Sequence, residues 1–189
     1  MNHNFYSQVI DSKSKIKSKI KQLFSNSFSR KEIIPLWYLL LKAKKPNIDF
    51  LAFYDQEKFI GLAYLIKHKE VIYVLYLAIE PEERSKGYGS KVLDLLKSLN
   101  NDSKIFLTID GINLDAKDYK KRCQRKKFYK DNDFIDAKLL LKIGKNTLET
   151  MAYKCDVSTQ LYKNIFKYLM PSFILKFLIF TRIWKLEKI

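Results

Sequence analysis

The sequence predicts an α+β fold (α/β in the broad sense), a central mixed but mostly antiparallel sheet flanked by helices. Three observations carry this expectation. Strand-like runs bounded by turn residues follow one another through residues 49–79 and again through 134–155. Segments with apolar residues three and four apart precede, separate and follow these runs, as helices lying on a sheet would. Between the two groups, Val71–Ile79 reads V-I-Y-V-L-Y-L-A-I and has no charge for a wet face, which suits a strand buried on both sides. Pro81 ends that run, and a loop with two glycines leads into a helical pattern.

Taken in order, residues 4–10 read as a short first strand. Asp11 or Ser12 offers an N-cap for a helix that turns Ile16, Ile20, Leu23 and Phe24 inward and five lysines to water. Residues 25–31 form a loop. Pro35 suits the first turn of a second helix carrying Trp37, Leu40 and Leu41, which Pro46 closes. Strands are expected at 49–54, 58–68 and 70–79, the first two joined by a turn around Asp55-Gln56-Glu57. Val92, Leu95, Leu96 and Leu99 place a helix over about residues 90–99. A short apolar strand at 104–109 precedes a strongly basic helix at 118–130. The strand at 134–143 turns at Gly144-Lys145-Asn146 into another at 147–155. Ser158 caps a further helix through Tyr168, Pro171 punctuates, and residues 172–189 form a last segment rich in Phe, Ile, Leu and Trp.

The loop Arg84-Ser85-Lys86-Gly87-Tyr88-Gly89-Ser90 carries the chemistry. A strand, a loop with two glycines and a helix start make an anion cradle. The glycines let successive N–H groups converge on a phosphate, and the helix start adds about half a positive charge. Arg84 and Lys86 add two full charges at its rim. A plain surface turn is the alternative for any lone Gly-x-Gly. A Walker loop is excluded because no Gly-Lys-Ser/Thr follows a four-residue gap, and a dinucleotide fingerprint because its third glycine is missing.

The longer run L-A-I-E-P-E-E-R-S-K-G-Y-G-S (residues 77–90) resembles motif A of the GNAT superfamily of acyl-CoA-dependent N-acetyltransferases. That motif is written Gln/Arg-x-x-Gly-x-Gly/Ala, and Arg84, Gly87 and Gly89 occupy its three positions. Phe128-Tyr129-Lys130-Asp131-Asn132-Asp133-Phe134 resembles the superfamily's late helix-to-strand segment, F/L-Y-x-x-x-G-F. The order of elements also fits, so the resemblance covers residues 4–155.

The resemblance implies the acyl-CoA N-acyltransferase (GNAT) fold and acetyl-CoA (coenzyme A) as co-substrate, with no metal. It implies direct transfer of an acetyl group to a primary amine in a ternary complex. By position it sets the main chain of Leu77 and Ile79 beside the pantetheine. Arg84 and the N–H groups of Ser85, Lys86, Gly87, Tyr88, Gly89 and Ser90 would hold the pyrophosphate. The Leu77 N–H would polarise the thioester carbonyl. The Tyr129 phenol, with a pKa of about 10 close to that of a thiol, would protonate the leaving thiolate; an ordinary core aromatic is the alternative. The general base is not legible. Glu80 and Asp110, at strand ends, are candidates beside plain surface solvation, and a water chain would also serve. Tyr73 stands where histone-directed members carry a glutamate. Asp133 replaces the usual glycine, and aspartate enters the left-handed region at some cost. Arg122 stands where many members have asparagine; with Arg125, Lys126 and Lys127 it would bind the cofactor's 3′-phosphate or form a solvated basic face. The acceptor would lie near residues 25–34 and the hairpin at Gly144.

Length and composition add bounds. At 189 residues the chain suits an acetyltransferase domain at 1–155 with a C-terminal helical extension at 156–189, packed on the domain or at an interface. The net charge is +16, but residues 51–110 hold 8 Lys/Arg against 9 Asp/Glu, so the basic excess sits in the flanks. A Lys-rich composition explains that excess, and attraction to nucleic acid, anionic lipid or an acidic substrate is the sharper cause. No nucleic-acid motif accompanies the charge. Cys123 and Cys155 read as free thiols, His3 and His68 as no metal site, and the N-terminus shows no signal peptide, which together suggest a cytoplasmic protein. In the last segment, Thr181, Arg182, Lys185 and Lys188 gather opposite Phe177, Ile179, Phe180, Ile183 and Trp184 on a helix. That helix would dock on the protein's own core or a homodimer mate, or lie in a membrane interface. Two other classes of function stand beside the enzyme: an acyl-CoA-binding or regulatory module without turnover, and a basic membrane- or nucleic-acid-associated protein on the same scaffold.

Overall fold

The computed structural model describes residues 5–11, 14, 16–28, 34–99, 103–170 and 184–188. It divides into two compact units, Met1–Lys67 with Val74–Leu96 and His68–Tyr73 with Lys97–Ile189.

The strand order is β1 (Phe5–Val9), β2 (Ile48–Asp55), β3 (Lys58–His68) and β4 (Val71–Ile79), with β1–β2 and β2–β3 antiparallel, and the first unit holds these strands apart from His68 and Val71–Tyr73. A Cβ on Gly61 would come 2.3 Å from the Ala78 carbonyl oxygen, so only glycine lets β3 and β4 approach this closely. Helices α1 (Lys17–Ser27) and α2 (Leu36–Lys42) cover one face. Phe50 and Tyr64 are register partners and share that face; Phe24 of α1 packs edge-on to Phe50 at 6.0 Å, and the Tyr64 hydroxyl donates to the Leu39 carbonyl of α2 at 3.0 Å.

Two helix expectations need correction. α1 starts at Lys17 with Ile16 at its cap and no side-chain capping bond. Asp11 instead closes a local turn with Ser14, whose hydroxyl donates to the Asp11 carboxylate at 2.9 Å; Ser12 lies outside the described residues. In α2 the buried residue is Leu39, while Trp37 and Leu41 face solvent. The tie between Tyr64 and Leu39 sets the helix's rotation, and periodicity over seven residues is too short to reveal it.

The second unit runs β5 (Lys104–Asp110), β7 (Asn146–Tyr153), β6 (Ile135–Ile143) and β8 (Trp184–Lys188), each pair antiparallel. Gly144, with φ 57°, makes the expected hairpin turn. Helix α4 (Tyr119–Asp131) precedes β6. Helix α5 (Thr159–Leu169) is capped as expected, the Ser158 hydroxyl accepting from the Leu161 N–H at 3.1 Å. α5 buries Tyr162, Ile165, Phe166 and Leu169, with Tyr162 against Phe106 at 5.0 Å and Tyr73 at 5.8 Å. It therefore belongs to this unit's core although it lies beyond residue 155.

Residues 184–188 are strand rather than helix. They pair with Leu139–Ile143 at the edge of β6, where open N–H and C=O groups await partners, and Lys142 meets Glu187 at 2.7 Å. The rest of the expected C-terminal helix, with Pro171, lies outside the described residues. No helix among the described residues is long and apolar enough to cross a membrane.

Candidate functional site

The glycine loop is built from the end of β4. Tyr76 and Ala78 are buried and Leu77 and Ile79 half-buried, the alternation of a strand with one closed face. The Glu80 N–H donates to the Ile60 carbonyl at 2.9 Å, and a single 3₁₀ turn, Pro81–Glu83, follows. The chain then turns left-handed twice, at Ser85 (φ 61°) and Gly87 (φ 81°). Nothing lies within 4 Å of a Cβ built on Gly87, so backbone angle rather than crowding requires glycine there. Helix α3 (Tyr88–Ser98) begins at once, two residues earlier than expected, because the Lys91 N–H bonds to the Gly87 carbonyl at 3.1 Å. The amides of Tyr88, Gly89 and Ser90 thus form the first turn and have no carbonyl one turn back to receive them. Left-handed residues leading into a helix start make a concavity of N–H groups that suits a diphosphate.

The two cations at the rim of the loop are engaged within the chain. Arg84 donates from Nε to the Ile79 carbonyl at 3.0 Å and from a terminal nitrogen to the Ser27 hydroxyl at 3.2 Å, tying the strand end to α1. Lys86 pairs at 3.3 Å with Glu83, a carboxylate only 3% exposed, which Lys58 also meets at 2.5 Å. The hydrogen bonds from Lys58 and Lys86 hold Glu83 below the usual carboxylate range. The Tyr88 hydroxyl donates to Asp55 at 2.7 Å and its ring stacks on Phe5, while the Asp55 bond pushes the phenol's pKa up. What the loop offers a ligand is therefore mainly backbone.

Tyr129 lies in the other unit, in the last turn of α4. The Phe134 N–H reaches back to the Tyr129 carbonyl at 3.0 Å and the Asp133 N–H to the Lys130 carbonyl at 3.1 Å, the paired bonds of a Schellman stop. Asp133 adopts φ 66°, so the aspartate does enter the left-handed region in glycine's place. Phe134 then packs its ring 5.7 Å from Tyr129, fixing the tyrosine from below. The Tyr129 side chain is 8% exposed, and its hydroxyl has no hydrogen bond among the described residues. Burial pushes the phenol up to about 12, against a smaller opposite pull from Arg125. A group so placed stays protonated at neutral pH.

The two candidate bases differ. Asp110 is held by Arg125 at 2.5 Å. Glu80 has no ion pair among the described residues, and burial, with Glu82 adding, raises it above the ordinary range. On α4 each cation of the expected phosphate cluster is paired with an acid. Arg122 meets Asp118 at 2.8 Å, Arg125 meets Asp110, Lys126 meets Asp136 and Glu149, and Lys127 meets Asp131 at 2.8 Å. Tyr73 is buried and hydrogen-bonded to the Thr108 hydroxyl at 3.1 Å. Cys123 and Cys155 are free; burial pushes the Cys155 thiol up to about 11, away from nucleophilic use. Among the described residues no three His, Cys, Asp or Glu converge as a metal site. Sequence reasoning missed Glu83, whose partner Lys86 is three residues away but whose partner Lys58 is on β3, and Asp55, whose partner Tyr88 lies in another element.

An α+β sheet with a strand, a left-handed turn and an open helix start belongs to the acyl-CoA N-acyltransferase class of folds. The chain is a member of the acetyltransferase (GNAT) family, whose sequence profile matches residues 17–123, and that family uses acetyl-CoA. Tyr129 falls beyond the matched residues. No curated protein sequence matches the chain. Among solved structures, a GNAT-family protein from Bacteroides thetaiotaomicron superposes with a TM-score of 0.68 at 21% identity, covering 87% of this chain and 95% of that one. A spermidine N-acetyltransferase variant from Vibrio cholerae gives 0.57 at 16% identity, covering 80% and 94%. The ribosomal-protein-S18-alanine N-acetyltransferase from Escherichia coli gives 0.57 at 11% identity, covering 82% and 97%. At these identities the likeness is one of fold.

Proposed function

We propose that the chain is an N-acetyltransferase that moves an acetyl group from acetyl-CoA to a primary amine, small-molecule or peptide, within a ternary complex. The observation that carries this reading is the doubly left-handed turn opening onto the uncapped amides of α3, in a chain of this family. Two structural neighbours name spermidine and a ribosomal-protein alanine as acceptors, which supports an amine substrate. We assign the activity to residues 1–155, with 156–189 as an extension, and the two free cysteines agree with a cytoplasmic location.

In this reading the amides of Ser85 to Ser90 hold the diphosphate, and Arg84 acts by bracing the loop. The main chain of Leu77 and Ile79 pairs with the pantetheine arm. The Leu77 N–H polarises the thioester carbonyl toward the neutral amine. As the C–N bond forms and the C–S bond breaks, Tyr129 gives its proton to the departing sulfur, and solvent restores it. Glu80 takes the proton that the amine sheds; its raised affinity for a proton suits it to that role, while Asp110 is engaged by Arg125.

Calorimetric titration with acetyl-CoA, followed by an amine panel read through release of free thiol, tests the reading. Binding and amine-dependent thiol release support it. Binding with no amine consumed favours the module without turnover, and no binding removes the reading altogether.

A further inference from the structure

Helix α2 is held in a rotation that leaves two large apolar side chains in water, unless something covers them. Leu39 is fully buried and its carbonyl receives the Tyr64 hydroxyl, so the helix cannot roll. That leaves Trp37 and Leu41, one turn apart on the outer side, 68% and 52% exposed. The chain continues in turns through Lys45, whose N–H bonds to the Lys42 carbonyl at 3.0 Å, and exposed Lys44 and Lys45 prolong the Trp37–Leu41 stripe. No acid pairs with Lys42, Lys44 or Lys45 among the described residues. Across residues 12–48 the sequence holds ten Lys/Arg and one acid, Glu32. α1, on the same sheet face, adds exposed Lys17, Lys19 and Lys21.

Scattered exposed apolar residues are ordinary. A tryptophan and a leucine one turn apart on one helix face, followed by exposed lysines that meet no acid among the described residues, are a different arrangement. Tryptophan partitions to the boundary between headgroups and acyl chains, leucine to the hydrocarbon beneath, and lysine stems reach back to phosphates. We propose that the outer face of α2, with the lysines that follow it, docks the protein reversibly on an anionic phospholipid surface. A nucleic acid would satisfy the lysines and stack on Trp37, but it would leave Leu41 uncovered. The charge matches a polyanionic plane, since exposed Lys44 and Lys45 follow Trp37 and Leu41 along the same stripe. The inference does not depend on acetyl transfer.

The test is co-sedimentation of the full chain with vesicles of phosphatidylcholine alone and of phosphatidylcholine with about 30% phosphatidylserine. Binding is expected only to the second, and it should weaken as salt rises. Joint Trp37→Ala and Leu41→Ala substitution should lower the partition coefficient roughly tenfold, with thermal melting and the acetyl-CoA titration unchanged. Joint Lys44→Ala and Lys45→Ala substitution should flatten the salt dependence. Failure to bind the anionic vesicles would overturn the proposal. So would undiminished binding by the Trp37/Leu41 variant, or a preference for a single-stranded oligonucleotide or an acidic protein over the vesicles.

Discussion

The chain turns left-handed beside a helix end in two places that matter, and it does opposite things there. Before α3, Ser85 and Gly87 lead into amides with nothing to donate to, so the turn leaves backbone donors open. After α4, Asp133 sends the Asp133 and Phe134 N–H groups back to the Lys130 and Tyr129 carbonyls, so the turn closes backbone acceptors. One leaves donors open; the other holds a side chain still. A left-handed residue is therefore not in itself a sign of a site. What separates the two is whether the neighbouring polar groups are satisfied within the chain.

The sharpest break of this contrast is at the side chain that the closed turn holds. Tyr129→Phe keeps the ring, and with it the packing on Phe134, but removes the proton. kcat should fall by about 100-fold or more while acetyl-CoA affinity stays as it was. Steady-state kinetics beside calorimetry checks this, and an unchanged kcat would return Tyr129 to the core. Gly87→Val acts on the open turn. A β-branched residue resists φ 81°, so acetyl-CoA affinity should drop by roughly tenfold to 100-fold with a smaller loss in Tm. Equal binding would mean that the turn is not the cradle.

A smaller effect is expected at Glu80, just upstream of the open turn. Burial raises its pKa, so it takes up a proton at a higher pH than an ordinary glutamate does as the solution is acidified. The base form is the ionised one. kcat/KM should accordingly decline on the acid side beginning above the usual carboxylate range. Glu80→Gln should lower the plateau about tenfold and remove that decline. Were the acid limb to persist in the variant, another group would be the base.

The strands were largely legible. Lys58–His68 and the hairpin at Gly144 follow from turn residues flanking β-rich runs, and both settle within a few neighbours of themselves. The open turn was legible for the same reason, since φ 81° leaves a glycine as its trace. The partners of Arg84, Arg125 and Lys126 were not, whereas Lys86–Glu83, Arg122–Asp118 and Lys127–Asp131 are pairs three or four residues apart. A long side chain that reaches another element finds its partner in three dimensions, as Lys58 of β3 does with Glu83. The outward face of α2 was hidden similarly, since one contact from Tyr64 decides it. For the strand at 184–188 the deciding neighbour, β6, is some forty residues away in sequence.

The smallest effect is the most direct probe of the closed turn. Asp133 occupies a conformation that costs an L-residue more than glycine, and its carboxylate recovers part of that by meeting Lys97 at 3.0 Å. The aspartate is 75% exposed on its side chain, so the pair contributes only a few tenths of a kcal/mol. Relief of the backbone should exceed that loss, and Asp133→Gly is expected to raise stability by about 0.5 kcal/mol, a shift of a degree or two in Tm. Asp133→Ala has the opposite sign, because alanine keeps the Cβ and discards both the ion pair and aspartate's tolerance of this region. Thermal melts of the two variants beside the parent read the order directly. If alanine proved as stable as glycine here, the left-handed angle would not be what governs this stop, and the contrast between the two turns would lose one of its sides.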